Sequence, residues 1–244
     1  MTKFQSELTD EKKSPFKKYR EIFVGKKGFW DLLKFEIITT FISSLPGGIG
    51  FFLRKISYPF IFGKIGKNVV FGRSITFRHP HKIIIGDNVI IDDNCVLDGK
   101  STENPGIVIS NNVFINRNTI LSCHFGTIEI GDNTNIGNNS IIHSASKVKI
   151  GKNVIMAASC HIIGSKREMD RLDVPVIAQQ TSSKGIYIED NVWLGALVFV
   201  NDGVTIGRDS VIGAGSIVLN DIPEYHVAFG SPAKPVRTRK EKGN

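Results

Sequence analysis

Six histidines (His79, His81, His124, His143, His161 and His226) are the side chains of this sequence best fitted to accept a proton near neutral pH. A neutral imidazole held beside a hydroxyl or an amine acts as a general base. Three cysteines, Cys95, Cys123 and Cys160, have no CxxC spacing, and an odd number suits a reducing compartment better than a disulfide framework. Lys234 and Arg237 offer a point charge and a planar fork, the two cationic shapes that hold phosphate.

The chain has 244 residues and a formal net charge of +8, and the excess sits at its ends. Residues 1–27 hold eight basic and four acidic side chains, residues 234–242 five and one, and the remainder is balanced at eighteen of each. The body is therefore a neutral domain between two basic tails and not a nucleic-acid-binding surface. The first thirty residues are polar and of mixed charge, unlike a secretory signal peptide, so the expected location is the cytoplasm. The longest uncharged stretch, Ile37–Leu53, falls short of a spanning helix and is broken by Pro46-Gly47-Gly48.

The elements that must position these groups are set by an internal repeat. Ile85, Ile91 and Leu97 are six apart, and the spacing continues through seven triplets, from Ile65/Phe71/Phe77 to Ile206/Ile212/Val218, all large and apolar. A second column four residues later holds small or β-branched residues such as Val89, Cys95, Val113, Cys160, Val198 and Ser216. Positions two apart point to the same side of a strand, so both columns face inward. Gly and Asn or Asp between them, as in IGKN and IGDN, suit tight corners. Three six-residue strands per turn give an all-β solenoid, and no helix or edge-paired sandwich keeps that beat.

The triplets are separated by slips, and the largest, 163–185, is a loop of twenty extra residues, too long to be idle in a compact repeat. The expected organisation is a polar basic segment (1–28), an apolar helical segment (29–63), the repeat domain (64–222) and a short basic C-terminal tail (223–244). Residues 29–63 are more apolar and aromatic than strands require, with Lys26, Lys27, Arg54, Lys55 and Lys64 in and around them. Two readings carry equal weight: contact with an anionic membrane surface, or packing across the open end of the solenoid.

The repeats, the loop GSKREMDRLDVPVIAQQ, and the segments NVWLGA, IGAGS and GSPAK resemble the hexapeptide-repeat acyltransferases, in particular acetyltransferases of sugars and surface polysaccharides. The resemblance covers residues 60–238. It implies a left-handed parallel β-helix of about seven coils, a homotrimer, and acetyl-CoA as a co-substrate with no permanently bound cofactor. In that family a histidine of the extended loop is the general base. Here the matching position is Arg167, and no histidine lies between Gly164 and Tyr225. Arginine stays protonated and is no base.

Stacking arithmetic makes His143 the first candidate for the base, because it is one residue past Ile142 as Ile163, where the loop leaves, is one past Ile162. A solvated corner histidine is the competing reading. His161 ranks second, and His79 and His81 are expected to be structural. Arg167 is expected to orient the acceptor, with Asn138 and Asp170 as acceptor-binding candidates. The resemblance places CoA along Trp193, Gly195, Ala196, Ala214 and Gly215, with Lys234 and Arg237 at its phosphates; corner-turning glycines and a solvated tail are the plainer alternatives. His124, His143 and His161 recur at about one coil, but their phases differ, so no metal site is expected.

These readings imply an acetyl-CoA-dependent O-acyltransferase acting on a saccharide of surface polysaccharide or glycolipid synthesis, which a lipid-linked acceptor at the inner face of a membrane would fit. The alternatives are N-acetyl transfer to an amino-sugar nucleotide and a non-catalytic solenoid scaffold. Acyl-CoA, a saccharide and two further copies of the chain are the expected partners.

Overall fold

The structure, a computed structural model, describes residues 13–26 and 28–239. Residues 1–12 and 27 of the polar segment 1–28, and the chain from Lys240 onward, lie outside the described residues.

The six-residue beat produces parallel strands of two to five residues wound on three faces. The first face runs from Lys64–Ile65 to Thr205–Ile206, and the third from Thr76–Arg78 to Ile217–Val218, each with seven strands. The second stacks parallel strands from Val70–Phe71 to His226–Gly230, and Ala233–Thr238 returns antiparallel on the last of them. Ile222, bridged to Ile206, and Ala228 repeat the inward beat six residues apart, so the repeat runs past residue 222 into the segment read as a tail. A small residue at a position that elsewhere holds a large apolar one hides that last partial coil in the sequence.

Every large inward position is buried except Ile65 on the first coil, which is half-buried. The small column is buried as well, and its hydroxyls bond to backbone; Thr134 Oγ1, for example, donates to Gly151 O at 2.9 Å.

The corners explain why the strands stay so short. Between first and second faces, and between second and third, the chain always spends four residues, and the third of them has a positive φ. At the first corner that residue is Asn68, Asn88, Asn112, Asn133, Asn153, Asn191 or Asp209, types whose short polar side chains tolerate left-handed backbone. Most of them bond to one another along the axis; Asn88 Nδ2 donates to Asn112 Oδ1 at 3.0 Å and Asn112 Nδ2 to Asn133 Oδ1 at 3.0 Å. The third corner, between the third face and the next coil, has no such rule. All the slips, including 163–185, occur there.

The helical segment closes the start of the stack. Helix α1 is Pro15–Tyr19, α2 is Phe29–Ile37 continued by a π-helical turn Ile38–Ile42, and α3 is Gly47–Ser57. Their inner faces satisfy backbone groups that the first coil leaves without a neighbour strand. Buried Arg54 on α3 donates Nε to Phe71 O at 3.1 Å and Nη1 to Leu45 O at 2.7 Å. Ser43 Oγ donates to Ile75 O at 2.9 Å, and His79 Nε2 meets Glu21 O at 2.9 Å, the structural role expected of that histidine. Tyr58 and Phe62 pack edge-on against Phe77, with centroids 4.9 and 5.0 Å away, and plug the column.

Cys123 lies outside both six-residue columns, but the strand Ile120–Cys123 runs four residues, so alternation carries the thiol inward. Burial pushes the Cys95 thiol up to about 11 and raises those of Cys123 and Cys160. All three thiols should therefore resist a disulfide reagent until urea unfolds the chain, and fast labelling of any one in the native state contradicts this packing. Arg54→Met, which keeps the stem and removes both donors, should cost about 3 kcal/mol in urea unfolding.

Candidate active site

The third corner gathers the polar residues that the regular coils exclude. On the outward side of the third face, one past each inward residue, Arg78, Asp98, Ser122, His143, Ile163 and Asn201 follow one another in strand register. His143 thus lies directly beside Ile163, where the long loop departs, at the spacing of neighbouring strands, about 4.8 Å. The stacking arithmetic that placed His143 would also have put Ser122 and Asp98 beneath it, but both were passed over because a polar residue at a corner has no signature of its own.

His143 is half-buried, and its ring lies 5.3 Å from that of His124, tilted by 34°. The sequence reading pointed these two rings in different directions. The chain instead turns sharply at Phe125, with φ 73°, and brings exposed His124 alongside. Burial lowers the His143 pKa first, the neighbouring His124 lowers it further, and Asp98 opposes both. The net shift favours the uncharged ring, the form able to accept a proton. Asp98 is itself held 3.6 Å from Arg78 Nη1. Among the described residues no three His, Cys, Asp or Glu side chains converge on a metal position.

The long loop is tied to itself and to the coils. Lys166–Arg167 pairs antiparallel with Thr181–Ser182, and Asp202 accepts from the Lys184 and Gly185 amides at 2.8 and 3.1 Å. Arg167 Nη1 donates to the carbonyls of Ile177 and Gln179 at 3.3 and 3.2 Å, so its guanidinium spans the loop. Buried Gln179 clamps Arg171 through both its amide atoms. Asp170 is exposed on the same loop.

The residues assigned to CoA lie elsewhere, at the corner between second and third faces. There Asn138, Ala158 and Ala196 stack in successive coils, linked by backbone bonds from Ser159 N to Asn138 O and from Leu197 N to Ala158 O, and Gly215 N continues the series to Ala196 O at 2.8 Å. Asn138 is exposed in this column, with the expected CoA residues and not beside His143. In the upper coils the corner narrows to Gly and Ala; a Cβ on Gly195 would meet Ala214 N at 2.6 Å. Leu197, the one large apolar residue among the left-handed positions of the two tight corners, has φ 61° and is 66% exposed. Left-handed backbone is unfavourable for a branched apolar side chain, so Leu197 is both strained and exposed. Trp193, 52% exposed, lies on the second face of the same coil, in one register column with Val211, Val227 and Arg237. Lys234 pairs with Phe229 on the same hairpin, so both expected phosphate-binding cations lie on the sheet that carries Trp193.

Two family models match within the stack: bacterial transferase hexapeptide (six repeats) over 185–220, and hexapeptide repeat of succinyl-transferase over 127–162. The galactoside O-acetyltransferase of Escherichia coli is 30% identical over 181 residues, which is 70% of this chain and 76% of that one. The chain belongs to the hexapeptide-repeat acyltransferase family. A second family member, the galactoside O-acetyltransferase of Lactococcus lactis, is 42% identical over 110 residues, 45% of this chain and 49% of that protein. The chain spans about half the length of the first curated relatives it matches, from 41% to 61%. Among solved structures, AntD, an N-acyltransferase from Bacillus cereus in complex with dTDP and 3-hydroxybutyryl-CoA, superposes with a TM-score of 0.55 at 18% identity, over 78% of this chain and 90% of that chain. That likeness concerns the fold, the left-handed parallel β-helix of the hexapeptide-repeat acyltransferases.

An NMR titration of His143 should give a midpoint below the ordinary histidine value of 6.5. His124→Gln removes a like charge and should raise the midpoint, whereas Asp98→Asn removes an opposite charge and should lower it. A midpoint above 6.5 would contradict the burial described here.

Proposed function

We propose that the protein transfers an acyl group, acetyl first among them, from acyl-CoA to a hydroxyl of a saccharide. What carries this reading is a half-buried His143, its uncharged form favoured, in register with the loop exit, on a chain whose neighbouring corner is cut down to Gly and Ala. His143 takes the acceptor's proton as the oxygen attacks the thioester carbonyl. The tetrahedral intermediate then collapses, the C–S bond breaks, and the imidazolium returns the proton to the departing CoA thiolate. Family members named galactoside O-acetyltransferase favour a hydroxyl over an amine as acceptor. Trp193, Leu197 and the Gly195–Ala196 and Ala214–Gly215 corners flank the pantetheine arm, and Lys234 and Arg237 meet the phosphates. Arg167 holds the loop in shape, and Asp170 on that loop faces the acceptor.

The site is completed between subunits of a trimer. Asn138 and His143 lie at opposite edges of the third face, on different corners, so one corner does not hold both donor and base. A neighbouring chain can set its donor corner against the His143 corner. No helix among the described residues is long and apolar enough to cross a membrane. The proposed location is the inner membrane surface, reached through the helical cap.

His143→Ala should lower kcat about a hundredfold while leaving CoA affinity, measured by calorimetry, near that of the wild type. Ala196→Trp should do the reverse and abolish CoA binding. Co-assembling the two inactive variants should restore activity, since some interfaces then carry both intact corners. Wild-type turnover in His143→Ala removes the base assignment, and a monomer by sedimentation removes the shared site.

A further inference from the structure

The cap has a second face. Helix α3 rests Gly50, Arg54 and Ser57 on the first coil, α2 and the turn after it bury Phe35 and Ile38, and each helix carries an exposed stripe on its other side. On α2 and the turn that follows, Trp30, Ile37 and Phe41 form that stripe at helical spacing; on α3, Ile49, Phe52 and Ile56 do so. Trp30 is 69%, Phe41 67% and Ile49 76% exposed, although a lone surface helix would place polar groups there.

The charges on this face are of one sign. Lys34 lies within the first stripe, between Trp30 and Ile37, and Lys55 sits beside Ile56; neither forms an ion pair among the described residues. The two carboxylates of the same segment are taken up elsewhere: Asp31 pairs with Lys26 at 3.2 Å, and Glu36 accepts from Tyr19 Oη. Exposed Trp, Phe and Ile with interspersed unpaired lysines are complementary to an anionic lipid surface, where rings enter the interface and ammonium groups meet headgroup phosphates. Another protein surface of this apolarity would not require cations inside the stripe.

We infer that the outer face of the α2–α3 cap seats in an anionic membrane surface, with the solenoid standing on it, and that the acceptor is a saccharide carried on a lipid of that membrane. Three strand spacings separate the first coil from that of His143, and the helix layer adds about one helix diameter, so the catalytic corner stands about 25 Å above the lipid. A free sugar gains nothing from that placement, whereas a saccharide chain rooted in the bilayer has its outer residues at this height. The acceptor half of the inference rests on the acyltransferase reading; the membrane half does not.

The test uses the full chain with vesicles of phosphatidylcholine alone or mixed with phosphatidylglycerol. Co-flotation is expected with the mixed vesicles and not with phosphatidylcholine, weakening as salt rises. Lys34→Gln combined with Lys55→Gln should reduce partitioning roughly tenfold or more. Trp30→Ser combined with Phe52→Ser should abolish it while leaving the melting temperature and the sedimentation mass unchanged. Acetyl transfer to a water-soluble saccharide should survive in that variant, and preference for a lipid-linked acceptor on vesicles should be lost. Absence of flotation overturns the inference, as does a fall in sedimentation mass on Trp30→Ser/Phe52→Ser, which would make this face a contact between copies. Flotation without transfer to any acceptor would instead overturn the acyltransferase reading and leave membrane seating in place.

Discussion

The chain must turn a corner every six residues, and one residue in left-handed backbone makes each of the two tight turns. The rest of the molecule follows from that constraint. A four-residue corner leaves room for strands of only a few residues, so each coil is thin and its core is a single inward column. Side chains that accept positive φ are short and polar, which is why asparagines line one edge and bond to one another from coil to coil. The third corner is free of this demand. Insertions collect there, and with them the histidines, the acid and the long loop that give the molecule its chemistry.

The parts legible in the sequence were those in which side-chain volume at a fixed period reports direction. The inward columns, including Cys95 and Cys160, were of this kind, as was the adjacency of His143 and the loop exit. Legibility failed where strand length changed the phase. Third-face strands such as Ile120–Cys123 extend the alternation beyond the six-residue unit, which buries Cys123 and carries His124 to His143. Ala228 hid the last coil because the signal being followed was size. For Arg167 the residue type was informative, since arginine cannot be the base, but its partners are carbonyls of its own loop and no pattern of side chains announces them. Asn138 stacks with the expected CoA residues, at the edge of the third face away from His143.

The two ends of the stack are finished differently. At the far end a hairpin, His226–Gly230 and Ala233–Thr238, extends one face and leaves Lys234 and Arg237 exposed. At the near end three aromatic rings pack together and a buried arginine bonds to the backbone of the first coil. An inner face engaged in this way leaves the composition of the outer face unconstrained by folding, and its apolar stripes therefore report something other than packing.

A stack of identical steps is also a ruler. Each coil adds one strand spacing, about 4.8 Å, between the cap and the corner that holds His143, and the local contacts of both ends are indifferent to how many coils intervene. The reach of the molecule is thus written as a whole number of repeats. Duplicating or deleting one coil would re-set the working distance in a single increment without redesigning either the anchor or the reactive corner, a form of adjustment that a globular core, where every layer touches every other, does not offer.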